Sequence, residues 1–232
     1  METVLIENRY AACQSETDIP CTIENQIVKD PWDGLEPHEI ATVQSGHPIV
    51  RSELFHDTTQ DDEQTKVLMR AAFTVGMPIE LVWQWIGRVE LLCRYLPRLE
   101  SSPVAWRQDD KVAVDFTVTL WELSMFGLDL SFRIHYRVLH RNFVDEKRLF
   151  FWLDKSVSSD VDMLEGYWKA FSLTDNRTLL RYQARVNLKW FLPLWVQSVL
   201  LHQEFPAAVE AAIRFIESDG NMIKSQLGVG CQ

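Results

Sequence analysis

The sequence has few features that support metal, redox or phosphate chemistry. It contains four cysteines in 232 residues, and none of them forms the Cys-x-x-Cys pair that is typical of zinc and redox sites. Free thiols in a reducing cytosol are favoured over a bridge between Cys13 and Cys21. A glycine-rich phosphate-binding loop and a nucleophile elbow are both missing. The sequence therefore predicts neither a metal site nor a cofactor.

Long apolar runs and an excess of basic residues are also missing. No stretch reaches the roughly 18 apolar residues that a transmembrane helix requires, and Met1-Glu2-Thr3 is not followed by the apolar run of a secretory signal. The net charge of −10 argues against a nucleic-acid partner. Together these absences favour a cytoplasmic location, with peripheral membrane contact as the alternative.

The negative charge is concentrated in the N-terminal part of the chain. Residues 1–65 carry 14 Asp and Glu but three Lys and Arg, a net charge of −11, whereas residues 66–232 carry +1. Residues 1–65 show little periodicity, although Ile49-Val50 and Leu54-Phe55 can pack against the body. We interpret them as an acidic extension, partly ordered or disordered, that can contact a protein partner. Residues 221–232 form a C-terminal tail.

The clearest positive signal is the alternation of apolar and polar side chains. Residues 128–138 place apolar or aromatic side chains at every even position, and residues 180–190 repeat the pattern. Because side chains alternate across a strand, each segment has one dry and one wet face. This predicts an antiparallel sheet that is solvated on one side, with Arg181 and Arg185 on the wet face. An apolar helix over 192–217, split at Pro206, covers the dry face.

The remaining elements follow from the same periodicities. Pro78 suits the first turn of a helix, and Asp109-Asp110 is a hairpin turn signal. A second short helix is predicted over 91–96. The predicted strands are 66–75, 104–108, 111–121, 128–140, 148–154, 164–173 and 178–190.

Three stretches, in this order, resemble parts of a known superfamily. They are Val75–Trp83 with Tyr95-Leu96-Pro97, Glu165–Trp168 with Arg177–Tyr182, and Phe191–Trp195 with Glu204–Val209. They are similar to the opening strand and helices, the penultimate hairpin and the closing helix of the helix-grip superfamily (SRPBCC). That superfamily includes START lipid-transfer domains, polyketide cyclase/dehydrases and coenzyme-Q-binding proteins.

The resemblance covers about residues 66–218 and implies a fold. It implies an α+β helix-grip domain over 66–220, in which a curved antiparallel sheet of about seven strands wraps around a long C-terminal helix. Two short helices follow the first strand.

The resemblance also implies a cavity between the sheet and the C-terminal helix that binds a hydrophobic small molecule. A solidly packed core is the alternative, because protein interiors usually leave no void. Tyr136 and Tyr182 are the candidates for orienting the polar end of a ligand. The predicted ligand-binding residues are Phe116, Val118, Leu130, Phe132, Ile134, Tyr136, Phe151, Trp168, Tyr182, Val186, Trp195, Val199 and Val209.

The sequence leaves three functions open. A carrier of a lipid, quinone or polyketide-like molecule is favoured, and a cyclase- or dehydratase-like enzyme using the same cavity is the second. The third is a protein-interaction or assembly module with a filled cavity. We expect no acid/base pair to face the cavity, which argues against an enzyme, and no catalytic residue is predicted. The apolar stretch 190–196 is a candidate for transient membrane contact.

Overall fold

The computed structural model describes residues 19–55, 66–125, 128–188 and 200–221. Within these ranges, the side chains of residues 21, 22, 55, 121–130, 188, 200 and 201 are not described. The strands are β1 (Ile49–Phe55), β2 (Lys66–Val75), β3 (Leu99–Ser101), β4 (Val104–Gln108), β5 (Lys111–Met125), β6 (Leu128–Phe143), β7 (Arg148–Leu153), β8 (Val161–Thr174) and β9 (Arg177–Leu188). The helices are α1 (Cys21–Glu24), α2 (Pro37–Gln44), α3 (Ile79–Ile86), α4 (Leu92–Tyr95) and α5 (Phe205–Glu217), with a 3₁₀ turn at Val89–Leu91 and a π-helical turn at Leu200–Glu204.

All the strands join one antiparallel sheet of nine strands. Its order is β1-β2-β9-β8-β7-β6-β5-β3, with β4 paired to the other part of the β5 edge. The first strand of the predicted domain, β2, therefore pairs with the last, β9. The long β5–β6 and β8–β9 hairpins place Phe116 opposite Tyr136 and Trp168 opposite Tyr182. This arrangement confirms the predicted α+β helix-grip fold, with two strands, β1 and β3, that the sequence analysis did not assign.

Two of the helices, α3 and α5, pack on the inner face of the sheet. α3 follows Pro78 and buries Val82, Trp83 and Ile86 at helical spacing. α5 buries Val209, Phe215 and Ile216 among other apolar residues. Pro206 lies in the first turn of α5, where its missing N–H is tolerated. The predicted split at Pro206 thus coincides with the change from the π-helical turn to the α-helix.

The sequence analysis was wrong about part of the outer face, where it placed Arg181 in water. Arg181 is 8% exposed, and its guanidinium donates to the carbonyl oxygens of Pro31 at 2.7 Å and Asp33 at 2.8 Å. The residues that bury it belong to the N-terminal extension. A sequence pattern shows which face a side chain takes, but it does not show what covers that face.

The covering segment, residues 19–44, packs on the outer face at two places. Ile19 and Ile23 pack with Phe150, Trp152 and Tyr167. Farther along the chain, α2 buries its Val43 against β2 and β9. Each contact removes apolar surface from water, at roughly 25 cal/mol per Å². The described part of the extension is therefore built into the folded sheet, and β1 extends that sheet beyond β2.

Cross-strand ion pairs occupy another part of the outer face. Arg137 donates to both carboxylate oxygens of Asp115, at 2.7 and 3.0 Å, on the β5–β6 hairpin. Arg185 contacts Glu165 at 3.2 Å on the β8–β9 hairpin. Opposite charges facing each other across neighbouring strands contribute about 0.2–1 kcal/mol. These residues hold the sheet together and lie away from its inner face.

Candidate functional site

A cavity of about 370 Å³ lies between the inner face of the sheet and the helices. The sheet contributes the inward-facing side chains of β2, β5, β6, β7, β8 and β9, and α5 contributes Phe205, Val209 and Ala212. The segment from α3 to β3 closes a further side. The volume is in the range of cavities that hold small molecules. The described residues leave this space open, which argues against the solid core that the sequence left as an alternative.

Nine of the predicted ligand-binding residues line this cavity. Phe132 is not among the lining residues, although it packs against a cluster that includes Leu120 and Ile134, which do border the cavity. The side chain of Leu130 and all of Trp195 and Val199 lie outside the described residues, as does the apolar stretch 190–196. The residues brought together are Phe116, Val118, Ile134, Tyr136, Phe151, Trp168, Tyr182, Val186 and Val209.

Tyr182 is the centre of the aromatic wall. Its ring centroid lies 4.6 Å from that of Trp168, and 5.9 Å from those of Phe151 and Phe205. Aromatic pairs at these distances add about 0.5–1.5 kcal/mol beyond their burial. The wall joins β7, β8, β9 and α5, so the sheet and the closing helix are held together by the same rings that border the cavity.

The tyrosine hydroxyls of the wall have no hydrogen-bond partner among the described residues. Burial raises the pKa values of Tyr136 and Tyr182, so both hydroxyls stay protonated at neutral pH. Neither hydroxyl forms a hydrogen bond with another residue of the described ranges. Both residues border the cavity and keep accessible surface. They can therefore donate to, or accept from, a molecule in the cavity.

His140 is a polar cavity residue that the sequence analysis missed. It is 5% exposed and lies on β6, with its ring centroid 6.0 Å from that of Phe116 and 6.2 Å from that of Phe151. Its Nδ1 atom forms no well-aligned hydrogen bond with the described residues, although the backbone of Val112 and Val138 lies near the imidazole and acts to raise its pKa. Burial lowers its pKa from 6.5 to about 4, so the imidazole is neutral at pH 7. A signal existed: His140 continues the even positions of Tyr136 and Val138 onto the inner face.

The neutral state of His140 predicts a pH-dependent stability. Between pH 6.5 and about 4 the unfolded chain binds a proton at this residue that the folded protein does not bind, so stability falls as the pH is lowered through this window. When the pH is lowered from 7 to 4.5, the free energy of unfolding should fall by about 2 kcal/mol less in His140→Gln than in wild type. Urea denaturation at the two pH values measures this difference. His135→Gln, on the exposed face of the same strand, is the control and should behave as wild type. Equal losses in wild type and His140→Gln would contradict the assignment.

Two charged residues lie on the rim of the cavity. Arg98, between α4 and β3, donates to Glu204 of the π-helical turn at 2.7 Å. Their side chains are 36% and 20% exposed, so the pair is partly solvated. Since each charge is matched by the other, the pair links two walls of the cavity and adds no net charge to it.

Several predicted absences can be compared with the structure. Among the described residues, no group of three or more His, Cys, Asp or Glu side chains is arranged to hold a metal ion. Within the same ranges, no helix has both the length and the apolar character needed to cross a membrane. Cys93 differs from the expectation of free thiols, because it is buried and disulfide-bonded.

The described residues form a START-like helix-grip fold with a mainly apolar cavity between the sheet and the helices. In agreement, a STAR-related lipid transfer protein from Xanthomonas axonopodis superposes with a TM-score of 0.51 at 10% identity, covering 71% of this chain and 98% of that one. A START superfamily protein from Mycobacterium smegmatis has a TM-score of 0.50 at 15% identity, covering 65% and 97%. The Zhui aromatase/cyclase from Streptomyces sp. R1128 has a TM-score of 0.50 at 13% identity, covering 80% and 100%.

These similarities concern the fold, since the identities are low. No protein-family model and no curated protein matches the chain in sequence. The predicted helix-grip fold is thus confirmed, and the structural similarity does not by itself assign a ligand or a reaction.

Proposed function

We propose that this protein binds and carries an uncharged hydrophobic small molecule in the cavity between its sheet and its C-terminal helix. The observation that carries the proposal is an open volume of about 370 Å³ with mainly apolar and aromatic lining. Burying about 300 Å² of apolar ligand surface at roughly 25 cal/mol per Å² contributes about 7 kcal/mol before the costs of association. A lipid, a quinone or a polyketide-like molecule can therefore be held with few polar contacts.

The predicted ligand contacts are the residues of the aromatic wall and its neighbours. In this proposal Phe151, Trp168 and Tyr182 contact the ligand from the sheet, and Val209 contacts it from α5. Leu130, Phe132, Trp195 and Val199 stay predictions as contact residues. The charge pair Arg98–Glu204 is neutral as a unit, which suits a ligand without a buried charge.

An enzyme that uses the same cavity is the second candidate. The observation that favours it is a buried neutral imidazole, His140, in a cavity that also contains unpaired tyrosine hydroxyls. One structural neighbour is named an aromatase/cyclase and another a lipid transfer protein, which is consistent with either function. Turnover of a polyketide-like substrate, lost in Tyr136→Phe or Tyr182→Phe, would favour the enzyme.

The interaction module with a filled cavity has less support, because the cavity is open. A protein partner for the acidic extension stays a prediction that is supported by its net charge of −11. Residues 19–44 of that extension already cover the protein's own sheet, so a partner would meet them as part of the folded surface. Cytoplasmic location and membrane contact by residues 190–196 also stay predictions.

Native mass spectrometry of protein purified from its own host tests the carrier proposal. We expect a mass excess that disappears on denaturation and reappears in the organic extract as an uncharged hydrophobic molecule. The extracted molecule, added back to protein stripped of it, should rebind with one molecule per chain. Protein that is isolated without a guest and binds no hydrophobic probe would contradict the proposal.

A further inference from the structure

The polar groups of the cavity differ in their surroundings. Arg98 and Glu204 are partly exposed at the rim and are bonded to each other. His140 lies deeper, between Phe116 and Phe151, at 5% exposure. The inner part of the cavity therefore contains polar groups without charge, while the charges lie at its edge.

The His140 side chain has an unmet hydrogen-bonding capacity. A neutral imidazole has one N–H donor and one bare nitrogen that accepts, and Nδ1 of His140 forms no well-aligned hydrogen bond with the described residues. Buried polar atoms are nearly always paired, and an unpaired one calls for an explanation. A half-turn of the ring exchanges Nδ1 with Cδ2, so a nitrogen can be presented on either side of the ring.

Two tyrosines of the cavity lining lie one aromatic ring away from His140. Phe116 contacts both Tyr136 and His140, with centroid distances of 5.6 and 6.0 Å. Phe151 contacts both Tyr182 and His140, at 5.9 and 6.2 Å. One aromatic ring therefore separates the imidazole from each tyrosine, and all three polar side chains border the same cavity.

We propose that His140 is the anchor of a hydroxyl-binding subsite, and that the carried molecule is an alcohol or phenol that enters with its hydroxyl group first. This inference rests on the proposed carrier function and narrows its ligand class. A hydroxyl can donate to the bare imidazole nitrogen or accept from the ring N–H, so it pairs with either tautomer of His140. A carbonyl oxygen can only accept. A carboxylate needs a cation, and Arg98, the only Lys or Arg among the described lining residues, is already paired with Glu204.

Three probes that share the naphthalene ring system and differ in their polar group test the proposal. They are naphthalene, 2-naphthol and 2-naphthoate. We expect wild type at pH 7 to bind 2-naphthol about five- to tenfold more tightly than naphthalene, the gain of one hydrogen bond, and to bind 2-naphthoate more weakly than either. In His140→Phe the preference for 2-naphthol should fall to about twofold or less, with naphthalene affinity within about threefold of wild type. His135→Phe on the opposite face is the matched control and should keep the preference.

A measurement on wild type makes the test independent of how the variant folds. The imidazole ¹⁵N chemical shifts of His140 should move on addition of 2-naphthol and stay in place with naphthalene. Naphthalene binding without a preference for 2-naphthol, unchanged ¹⁵N shifts, or tighter binding of 2-naphthoate would each overturn the hydroxyl subsite and leave the carrier function standing. Failure to bind any of the three probes would count against the carrier function and the subsite together.

Discussion

Replacing Ala208 by tryptophan should weaken the binding of a neutral hydrophobic probe, N-phenyl-1-naphthylamine, by at least about tenfold, which corresponds to about 1.4 kcal/mol. Ala208 lines the cavity on α5, and an indole ring at this position occupies the space that a guest would use. The measurement is a fluorescence titration of the probe with purified protein. Side chains that fill a cavity compete directly with its ligand, so the effect should appear as a loss of affinity with little change in secondary structure.

The next residue along the helix provides a matched control for this experiment. Ala207 has a similar degree of burial, yet it does not border the cavity. Ala207→Trp adds the same indole side chain to the same helix. We expect this variant to keep the probe affinity within about twofold of wild type. Equal affinities in wild type and Ala208→Trp would mean that the probe binds elsewhere on the protein, and the cavity would lose its role.

Replacing Gly166 by alanine should lower the free energy of unfolding by about 3 kcal/mol or more. A Cβ atom at this position would lie 2.2 Å from the backbone oxygen of Gln183 and 2.4 Å from Cζ of Phe151. The first contact is with the backbone of β9, to which Gly166 is paired through Ala184. Relief of the clash therefore requires a break in the β8–β9 ladder or a displacement of the Phe151 ring.

Thermal unfolding followed by circular dichroism measures this effect. For a chain of this size, a loss of about 3 kcal/mol lowers Tm by roughly 6–12 °C. Gly76→Ala is the control, because the nearest atom to its new Cβ would be Oε1 of Glu217 at 4.0 Å. A melting temperature for Gly166→Ala within about 2 °C of that control would show that the β8–β9 contact has more room than the structure indicates.

The strand pattern predicted most strands of the sheet and which side chains share its inner face, whereas the cavity itself was expected only from the resemblance to the helix-grip superfamily. Strict alternation specifies which side chains share a face, and the order of the elements then brings those faces together. His140 was missed for a physical reason. The inner face was defined by its apolar residues, so the polar His140 looks like the point where the alternation stops. Its even position, two residues after Val138, nevertheless places it on the inner face.

The packing of the N-terminal segment could not be predicted in the same way. Residues 19–44 contact the sheet through a few side chains, such as Ile23 and Val43, and these have no period that a sequence reveals. The burial of Arg181 depends on the carbonyl oxygens of Pro31 and Asp33, and backbone acceptors leave no signature in residue identity. Contacts of this kind become visible only once the chain is folded.

The covered outer face restricts which part of the cavity wall can move. The inner faces of β7, β8 and β9 border the cavity, and residues 19–44 cover parts of their outer faces. These strands are therefore packed on both sides. At the opposite border, the rings of Tyr95 and Phe215 stack at 4.4 Å between α4 and α5, and the Arg98–Glu204 ion pair links the start of β3 to the π-helical turn. Under the proposed carrier function, we therefore expect the movement that admits a guest to occur away from the strands that are packed on both faces.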